Sequence, residues 1–571
     1  DCGAEAWWQV VRHGWTLDLT VAGYVTALPL LLALASVWVP LDGRRWRRAL
    51  AVYLVAVSVV AAAVFAVDLG LYGYWGFRID SSVLLYLKSP KEAAASVSGR
   101  EWLVQGSIFL LAAAVLSAVL LSVSRLLETP KLSSAGRAAG TAAMLLLGGL
   151  CFLAIRGGAS VATANVSKVY FSSNQFLNHA ATNPLFSLLS TLGDDKDLRP
   201  QYLFFDEEER AARFRPDSVV GPRLLRTTRP NVVVVILESF GRTFTDERVG
   251  GEWVTPNLQR LKAEGVWFEN IFANSFRTDR GEVAILNGFP AQTRMSIMKY
   301  PAKSRTLPSI ARSLAAEGYE TEFVYGGDLN FTDQASYMYA TGWERLVWQK
   351  ELRFDAPVSK WGYADDVMAG WFGDEVLRLA GTGRHFLAGW LTLSSHEPFE
   401  VPYVRFEDKI LNAVAFTDDC VGRMIGQWRR SPAWDDLLVV LIADHAYPYP
   451  AGLPYNVGRR HRIPMIWTGG AVAGPAVVEE YGSQIDLAAT LLGQMEVDHT
   501  PFIYSKDLLS PSVPKFGYWC FNEGFGIADP QGETVYDCTS GRVLIDDDPA
   551  SGRLERGKAL LQTTYKDIGE R

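Results

Sequence analysis

PNVVVVILESFG, residues 230–241, holds the stretch that decides the fold of the second half of this chain. Its centre, NVVVVIL, is an almost unbroken run of aliphatic residues, four of them valine. Such a run is typical of a strand that is buried on both faces of a parallel sheet. The run ends on Glu238, so we predict a central strand with a carboxylate at its carboxyl end.

The residues that follow alternate between helical and extended patterns. TPNLQRLKAEG (255–265) begins with a threonine cap and a proline and ends on glycine, as helices commonly do. Further strands are predicted at 266–274, 319–327, 385–395, 436–445 and 462–470, and further helices at 304–318 and 484–495. Strands that alternate with helices predict an α/β domain with a largely parallel sheet, covered on both faces.

Acidic residues and histidines follow three of these strands. Glu238 ends the first strand, Asp444 and His445 end the 436–445 strand, and His396 follows the 385–395 strand. Each alone has a structural explanation, since Glu238 could cap a helix and His396 could be a hydrogen-bonded loop residue. Ligands of parallel sheets bind at the carboxyl ends of the strands, and carboxylates with an imidazole suit a divalent ion. The coincidence therefore favours a metal site formed by Glu238, Asp444 and His445.

NSFRTDRGE (274–282) places Thr278 between two arginines. Taken alone, a solvated turn is the commoner interpretation of so much charge. The alternative is that Thr278 lies beside the metal, which would favour its alkoxide and make it a nucleophile. Arg277 or Arg280 could then hold an oxyanion through two hydrogen bonds. The chemistry that fits is attack on phosphorus or sulfur.

The first 157 residues have a different character from the rest. The 571-residue chain is 49% hydrophobic, and most of its long apolar runs lie in this part. Four segments reach the length that spans a bilayer, about 20 residues: 20–39, 50–75, 105–124 and 139–156. We predict a transmembrane helical domain over residues 1–157.

Arg44, Arg45, Arg47 and Arg48 lie between the first two spans. By the positive-inside rule this loop is cytoplasmic, so everything after residue 157 is extracytoplasmic. The same count places residues 1–18 outside, and residue 1 is not methionine, so we expect an upstream piece with a fifth span that starts from a cytoplasmic N-terminus. Residues 158–229 are predicted to be a partly helical connector, with a break at Pro184, that is either an ordinary linker or lies along the membrane surface. The net charge of −7 gives no basic field for nucleic acid.

Residues 501–571 are predicted to form a small β-rich subdomain after a catalytic domain over 230–500. GYWCFNEGFGIADPQGETVYDC (517–538) is rich in glycine and aromatic residues, and VYDCTSGRVLIDDD reads as a hairpin. The aromatic residues could be core or a wall for a glycan. Whether Cys520 and Cys538 form a disulfide is open, because it depends on the redox compartment.

Several of these motifs occur together in one known family. ESFG (238–241), RTDRG (277–281), SSHEPF (394–399) and ADH (443–445) follow each other within residues 230–495. In these motifs, and in its membrane anchor, the chain resembles the lipoteichoic acid synthase-like group of membrane phosphoglycerol transferases. That group is part of the alkaline phosphatase/sulfatase superfamily. The resemblance implies a sulfatase-like α/β fold for the soluble half.

The resemblance also implies a reaction. One divalent ion, Mn²⁺ in the best-known members with Mg²⁺ or Zn²⁺ as alternatives, would be held by Glu238, Thr278, Asp444 and His445. Thr278 would attack the phosphodiester of phosphatidylglycerol or another phospholipid donor and expel diacylglycerol, while His396 contacts the substrate. The phospho-threonine ester would then pass its glycerol-phosphate group to a glycan or glycerophosphate acceptor.

The sequence departs from the pattern of known members in two places, which limits what the resemblance implies about the substrate. Sulfatases need Cys or Ser in a C/S-x-P-x-R motif, and RTDRG has Thr and no Pro, which argues against sulfate ester hydrolysis. Lipoteichoic acid synthases also carry a His, Trp and Arg set after the middle strand. In this chain the corresponding segment, YGGDLNFTDQASY (325–337), offers other polar residues: Tyr325, Asp328, Thr332, Asp333 and Gln334. This different polar set leaves the head group and the acceptor open. Polyglycerolphosphate synthesis and the decoration of a periplasmic glucan or another glycan are equally compatible with it.

His461, just before the 462–470 strand, has two interpretations: an additional histidine that contacts the substrate, or a surface residue of a basic loop. Three hypotheses for the whole chain follow. The first is a phosphoglycerol transferase in the bacterial cytoplasmic membrane with its catalytic domain outside. The second is a phosphoethanolamine transferase or phosphodiesterase on the same site. The third is a catalytically silent protein that binds lipid or glycan in the envelope.

Overall fold

The computed structural model describes residues 3–39, 43–75, 78–79, 83, 99–124, 132–172, 174–192, 201–213, 221–293, 295–451, 453–522 and 524–571. The chain divides into two compact units, residues 1–196 and 197–571. The first unit contains the apolar helices together with the first part of the predicted connector. The boundaries predicted at 157, 229 and 500 stay predictions.

The apolar runs of the first unit are helices. Within the described residues, four helices are long and apolar enough to cross a membrane: Ala4–Trp38, Gly43–Trp75, Gly99–Ser124 and Ser134–Arg156. Each covers one predicted span, apart from residue 39 at the end of the first, and begins several residues before it. The first of these helices packs on the fourth, and the second packs on the third. These helices mark the chain as a membrane protein.

Short helices follow the fourth long helix. They are Val166–Val169, a 3-10 turn, and the α-helices Gln175–Ala181 and Pro184–Thr191. Asn183 caps the last of them by accepting hydrogen bonds from the N–H groups of Leu185 and Phe186, and Pro184 occupies its first position. The Asn183 side chain also donates to Asp18 at 2.6 Å, so this part of the predicted connector packs on the first long helix.

The second unit is built on one large sheet. Its strands are β1 (Asn231–Leu237), β4 (Val266–Phe272), β5 (Glu320–Tyr325), β6 (Arg345–Trp348), β7 (Phe386–Leu391), β8 (Leu437–Ala443), β9 (Arg462–Thr468) and β10 (Ala476–Ser483), while β2 (Arg248–Val249) and β3 (Glu252–Trp253) form a small hairpin. The described residues give the strand order β10-β4-β9-β8-β1-β7-β5-β6. Neighbouring strands run parallel except β9, which is antiparallel to β4 and β8. The predicted, largely parallel sheet is confirmed.

The valine run lies at the centre of this sheet. β1 pairs with β7 on one side and with β8 on the other, and Val234 is level with Gly389 and Val440. Every residue from Val232 to Leu237 is buried, as a strand covered on both faces requires. Because β1 and β8 are parallel and in register, their carboxyl ends reach the same edge of the sheet.

Helices cover the sheet on both sides. The α-helices of this unit before the C-terminal sheet are Glu207–Arg213, Arg242–Asp246, Pro256–Glu264, Thr278–Asn287, Pro301–Ser304, Ile310–Ala316, Gln334–Ala340, Asp365–Ala380, Lys409–Trp428 and Asp486–Gln494. The 3-10 turns are Ile297–Lys299, Phe331–Asp333, Pro432–Asp436, Gly458–His461 and Pro549–Ser551.

The C-terminal residues form a second, antiparallel sheet. It consists of β11 (Gly517–Phe521), β12 (Gly524–Asp529), β13 (Gly532–Asp537) and β14 (Arg542–Asp546) in sequential order. The predicted hairpin is the β13–β14 pair. The chain then ends in an 18-residue helix, Arg553–Glu570, that the β-rich prediction omitted. Trp519 of β11 is fully buried and stacks on Phe272 at 5.3 Å, so this aromatic residue is core.

Cys520 and Cys538 form no disulfide with each other. Cys520 is on β11, whereas Cys538 follows β13, and β12 lies between these strands. Two strand spacings amount to about 9–10 Å. That separation exceeds the reach of a disulfide, roughly 7 Å between Cα atoms.

Candidate metal centre and active site

The carboxyl ends of β1 and β8 bring three of the predicted metal ligands together. One ligand atom each from Glu238, Asp444 and His445 can be chosen so that all three lie within 4.8 Å of one another. The side chains of Glu238 and Asp444 are buried, and that of His445 is only 12% exposed. The arrangement follows directly from the parallel pairing of β1 with β8.

Hydrogen bonds hold these side chains in place. Asp444 Oδ1 accepts from the backbone N–H groups of Ser239 (2.8 Å) and His445 (2.7 Å). The hydroxyl of Ser239 donates to Glu238 Oε1 at 2.7 Å. Ser239 itself has a φ of 63°, a conformation that costs a non-glycine residue free energy and that is found most often at functional sites.

Two polar atoms of the cluster have no hydrogen-bond partner among the described residues. They are Asp444 Oδ2 and His445 Nδ1, both inaccessible to solvent. Burial of such atoms without a partner is costly, and nearly all buried polar atoms in folded proteins have one. Because the unsatisfied groups are a carboxylate oxygen and an imidazole nitrogen, the cluster fits a divalent cation.

The electrostatics of the cluster also indicate a missing positive charge. Burial, with the neighbouring carboxylate of Glu238, raises the pKa of Asp444 to about 8. Burial opposes protonation of His445, but the carboxylates of Asp444 and Glu238 outweigh it and raise the pKa of His445 to about 9. Asp444 therefore holds a proton at neutral pH, while protonated His445 balances the charge of Glu238, whose pKa is lowered to about 2.

Thr278 lies against this cluster. It is the first residue of the helix Thr278–Asn287, and its hydroxyl Oγ1 is 3.3 Å from Glu238 Oε2. Gly281 explains how the helix comes so close: a Cβ there would lie 2.1 Å from the carbonyl oxygen of Asp444. The glycine of the RTDRG motif therefore lets the first turn of the helix contact the backbone of Asp444, one of the predicted metal ligands.

The two predicted arginines differ in their surroundings. Arg277 is exposed, whereas Arg280 is buried and donates through Nη1 to the hydroxyl of Ser275 (3.2 Å) and the carbonyl of Thr293 (3.0 Å). Both line a pocket of about 430 Å³ on the Thr278 turn. The predicted roles of Arg277 at the substrate and Arg280 in catalysis stay predictions.

His396 follows β7 in the loop that begins at Thr392, whose hydroxyl accepts from the backbone N–H of Glu238 at 2.9 Å. Its imidazole Nδ1 lies 2.8 Å from the carbonyl of Glu397, and its ring is 4.5 Å from the ring of Trp361. Its chain neighbour Ser395 donates to the backbone carbonyl of Glu238 at 2.6 Å, so this loop packs against the residue that carries the first predicted ligand.

The segment after β5 contains the predicted substrate-binding residues Tyr325 and Asp328. Tyr325 ends β5, and burial together with Glu238 and Glu282 raises its pKa well above the ordinary value. Gln334 donates to Glu282 Oε2 at 2.8 Å, and Asp328 accepts from the N–H of Asn330 at 3.0 Å. The backbone here includes two non-glycine residues with positive φ, Thr332 and Asp333.

Glu282 is a buried residue that sequence reasoning missed. It lies one helical turn after Thr278, and burial raises its pKa well above the ordinary value. The signal was present, because Glu282 is the last residue of NSFRTDRGE, but nothing in a single sequence distinguishes a buried glutamate from a solvated one.

His461 is not a surface residue, so that interpretation is wrong. Its side chain is completely buried, its Nε2 lies 2.7 Å from the carbonyl of Tyr455, and its ring stacks on Trp519 at 5.4 Å. Burial lowers the pKa of His461 to about 3, so the ring is neutral. Its predicted contact with the substrate stays a prediction.

Comparisons with known proteins agree with this geometry. The sulfatase family model matches residues 230–497. Phosphoglycerol transferase I of Xanthomonas campestris pv. campestris is 27% identical over 308 residues, which is 50% of this chain and 43% of that protein. Lipoteichoic acid synthase 2 of Bacillus subtilis is 23% identical over 310 residues, 49% of this chain and 47% of that protein. The chain thus spans less than half the length of these relatives.

A solved structure is also similar. A protein in the alkaline phosphatase superfamily from Vibrio parahaemolyticus superimposes with a TM-score of 0.57 at 25% identity, over 65% of this chain and 97% of that one. Residues 230–497 therefore form a sulfatase-like domain, as the resemblance predicted. The chain is a homologue of phosphoglycerol transferases and lipoteichoic acid synthases.

Proposed function

We propose that this protein is a metal-dependent transferase that moves a glycerol-phosphate group from phosphatidylglycerol to an acceptor hydroxyl. The observation that carries the proposal is the contact between Thr278 and the cluster of potential metal ligands: Oγ1 lies 3.3 Å from Glu238 Oε2. A hydroxyl held at a buried acidic cluster is the arrangement that a metal-activated nucleophile requires. The relatives named phosphoglycerol transferase and lipoteichoic acid synthase support the choice of group.

Glu238, Asp444, His445 and Thr278 would hold one divalent ion. We propose Mn²⁺ in line with the resemblance, and the same donor set also accepts Mg²⁺ or Zn²⁺. When bound, the ion favours the alkoxide of Thr278 and stabilises negative charge on the phosphoryl oxygens. Asp444 Oδ2 and His445 Nδ1, which have no hydrogen-bond partner within the part of the chain that the structure describes, support a cation at this place.

The reaction proceeds in two displacements. The Thr278 hydroxyl loses its proton to solvent and its oxygen forms a bond to the phosphorus of phosphatidylglycerol. The bond to the diacylglycerol oxygen breaks, and that oxygen takes up a proton. His396, half-buried near Glu238, is the proposed donor of this proton. The acceptor hydroxyl then attacks the glycerophosphoryl-threonine ester, its proton is removed, and Thr278 is released as a hydroxyl.

The position of the enzyme suits a lipid donor. Within the described residues, four helices are long and apolar enough to anchor the chain in a membrane. The four arginines within residues 44–48 place the sulfatase-like domain outside the cytoplasm by the positive-inside rule. Phosphatidylglycerol in the outer leaflet and a glycan or glycerophosphate acceptor outside the membrane are then the substrates. No part of this proposal involves nucleic acid.

A second candidate is a phosphoethanolamine transferase or phosphodiesterase on the same site. The segment after β5 favours keeping it, because the half-buried Asp328 offers a carboxylate that suits an ammonium head group. A catalytically silent lipid- or glycan-binding protein is disfavoured, since such a protein has no need of the clustered ligands and the Thr278 contact.

The test uses the full chain with Mn²⁺ and vesicles that carry labelled phosphatidylglycerol or phosphatidylethanolamine. We expect diacylglycerol release from phosphatidylglycerol and a glycerophosphoryl adduct on the protein by intact-mass analysis. Thr278→Ala should lose both, whereas Thr382→Ala, which removes an exposed hydroxyl in a turn outside the site, should keep both. Release from phosphatidylethanolamine alone would favour the second candidate, and release from neither would overturn the proposal.

A further inference from the structure

Arg460 precedes β9 and belongs to none of the groups assigned so far. Because β9 is antiparallel to β4 and β8, its first residues lie at the edge of the sheet where those two strands end. The pairing with β4 continues to His461, whose carbonyl accepts from the N–H of Ala273 at 2.6 Å. Arg460 therefore follows the same edge as Asn274, the first residue of NSFRTDRGE, at the edge that carries the predicted metal ligands.

Aromatic contacts connect Arg460 to the turn that holds Thr278. The guanidinium carbon of Arg460 lies over the ring of Tyr455, 5.1 Å from its centre. The ring of Tyr455 is in turn 4.6 Å from the ring of Phe276, which comes two residues before Thr278. A short chain of contacts thus joins the guanidinium to the segment of the proposed nucleophile.

The guanidinium of Arg460 is buried without a carboxylate. The residue is 2% exposed, and its Nε and Nη1 have no hydrogen-bond partner among the described residues. The titratable groups that act on it are Tyr455 and Tyr447, which are uncharged at neutral pH. A guanidinium keeps its charge, and a cation–π contact recovers only part of the cost of removing that charge from water. Arg460 thus lacks the anion that a buried cation requires.

Other buried arginines of the second unit have such an anion within the chain. Arg242 pairs with Glu269, and Arg553 pairs with Asp529, each at 2.7 Å. Both are structural arginines whose charge is balanced by the fold itself. Arg460 differs from them in having two unsatisfied nitrogens, and it lies at the edge where the proposed reaction takes place. This difference points to an anion that arrives with the substrate.

The phosphodiester of the proposed donor has the required chemistry. It carries one negative charge and several oxygen atoms that accept hydrogen bonds, so one molecule can satisfy both nitrogens of Arg460. Hydrogen bonds between a guanidinium and phosphate oxygens are among the strong, charge-assisted ones. A neutral sugar hydroxyl would accept hydrogen bonds as well, but it would leave the buried charge unbalanced.

We propose that Arg460 binds the phosphodiester of the donor lipid and stays on its phosphoryl group during transfer. The inference rests on the proposed function and adds a substrate-binding residue outside the pocket of Arg277 and Arg280, which Arg460 does not line. The phosphodiester supplies the missing anion, and the guanidinium offsets negative charge on the phosphoryl oxygens. Tyr455, whose half-exposed ring lies over the guanidinium, moves aside as the donor enters.

Arg460→Met is the central test, because methionine keeps an unbranched side chain and removes the charge. We expect kcat/KM for diacylglycerol release from phosphatidylglycerol vesicles to fall about 10–100-fold, as loss of a charge-assisted contact predicts. The melting temperature without substrate should equal or exceed that of the wild type, because a buried, unpaired charge has been removed. A structural role predicts the opposite, a lower melting temperature.

Matched variants separate the charge from the fold. Arg460→Lys keeps a cation and should recover part of the lost kcat/KM, and Arg460→Gln repeats the test with a polar side chain. Arg459→Met removes the exposed neighbouring arginine and should behave as the wild type. Unchanged kcat/KM in both neutral Arg460 variants would overturn the inference. A lower substrate-free melting temperature in both, or an equal loss of kcat/KM in Arg459→Met, would also overturn it.

Inorganic phosphate separates this inference from the proposed function. The melting temperature of the detergent-solubilised full chain is measured with and without phosphate for the wild type, Arg459→Met and Arg460→Met. Phosphate should raise it by roughly 2–4 °C in the first two proteins and leave Arg460→Met unchanged. Equal shifts in all three, or none in the wild type, would overturn the inference. A shift that depends on Arg460 in a wild type that releases no diacylglycerol would overturn only the function.

Discussion

The two edges of the large sheet both carry buried acidic residues, but the side chains that pair with these acids differ. At the carboxyl edge, Glu238 and Asp444 lie together with His445, and Asp444 Oδ2 has no hydrogen-bond partner among the described residues. Towards the amino edge, Glu322 of β5 and Glu375 of the helix Asp365–Ala380 are also buried, and both are paired with Arg345.

The pairing at the amino edge is extensive. Arg378 also donates to Glu375, at 2.6 and 2.7 Å, and Arg384 pairs with Glu320. A pocket of about 690 Å³ lies here, larger than the pocket beside Thr278. Cavity size therefore does not identify the reactive edge. The two edges differ in the partner of the acids: at the amino edge it is a set of permanently charged arginines, whereas Glu238 and Asp444 are paired with His445, whose Nε2 lies 3.5 Å from an oxygen of each. Imidazole, unlike guanidinium, can also bind a metal ion, so the second arrangement is the one that suits a metal site.

The largest expected effect is on transfer activity, and it comes from a substitution at the carboxyl edge. Asp444→Asn removes a proposed metal ligand, so transfer should fall about 1,000-fold or more, because charge stabilisation at the phosphoryl group is lost. Diacylglycerol release from phosphatidylglycerol vesicles measures it. Glu375→Gln at the amino edge is the matched control and should keep the rate within about twofold. A comparable loss in both variants would contradict the distinction between the edges.

Removal of the metal should affect stability through the carboxyl edge alone. Chelation of the wild type should lower its melting temperature by roughly 5 °C, and added Mn²⁺ should restore it, because an ion that binds only the folded state stabilises that state. Glu238→Gln should show little response to either treatment. Differential scanning calorimetry of the detergent-solubilised chain measures this, and an unchanged wild-type melting temperature would argue against a bound ion.

The amino edge should show the opposite behaviour. Arg345→Met leaves Glu322 and Glu375 buried without their shared cation, which should destabilise the protein by about 1–3 kcal/mol, a value reduced from that of a fully buried pair because Arg345 is half exposed. Transfer per folded molecule should stay at the wild-type level. Urea unfolding and the vesicle assay together test this; a selective loss of activity would assign the amino edge a catalytic role.

The smallest effect concerns pH. Burial raises the pKa of Glu322 to about 7 from 4.5, so the folded protein binds a proton that the unfolded chain has released in this window. The stability due to this proton is complete below pH 4.5 and is lost as pH rises through 7. Glu322→Gln should therefore flatten the decline in stability between these values, by about 1 kcal/mol. Melting curves at pH 5 and pH 7.5 compare the variant with the wild type, and identical slopes would contradict the shift.

The grouping of Glu238, Asp444 and His445 at the carboxyl edge could be predicted from the sequence, because it depends on patterns within two short segments. A valine run that ends on Glu238 and an aliphatic run that ends on Asp444 specify two buried strands, and parallel pairing brings their ends together. The direction of β9 was not predictable in this way, since a buried strand shows the same apolar run whether its neighbours run parallel or antiparallel.

The contacts that depend on distant residues were also beyond the sequence. The bond between Glu282 and Gln334 joins residues 52 positions apart, and the pocket beside Thr278 needs Asn522 from the C-terminal sheet. The burial of His461 depends on packing against Trp519. No pattern within a single segment specifies which remote segment will cover it, so these features required the folded chain.

Gly281 has a consequence for other chains with the same threonine. The close approach of the helix Thr278–Asn287 to Asp444 leaves no room for even one carbon atom at this position. The distance between the proposed nucleophile Thr278 and the acids is thus set by contact between two backbone segments, and not by an adjustable side chain. A sequence that keeps the threonine and the acids but replaces the glycine holds its hydroxyl at a different distance, and its threonine should not be assigned the same chemistry from the motif alone.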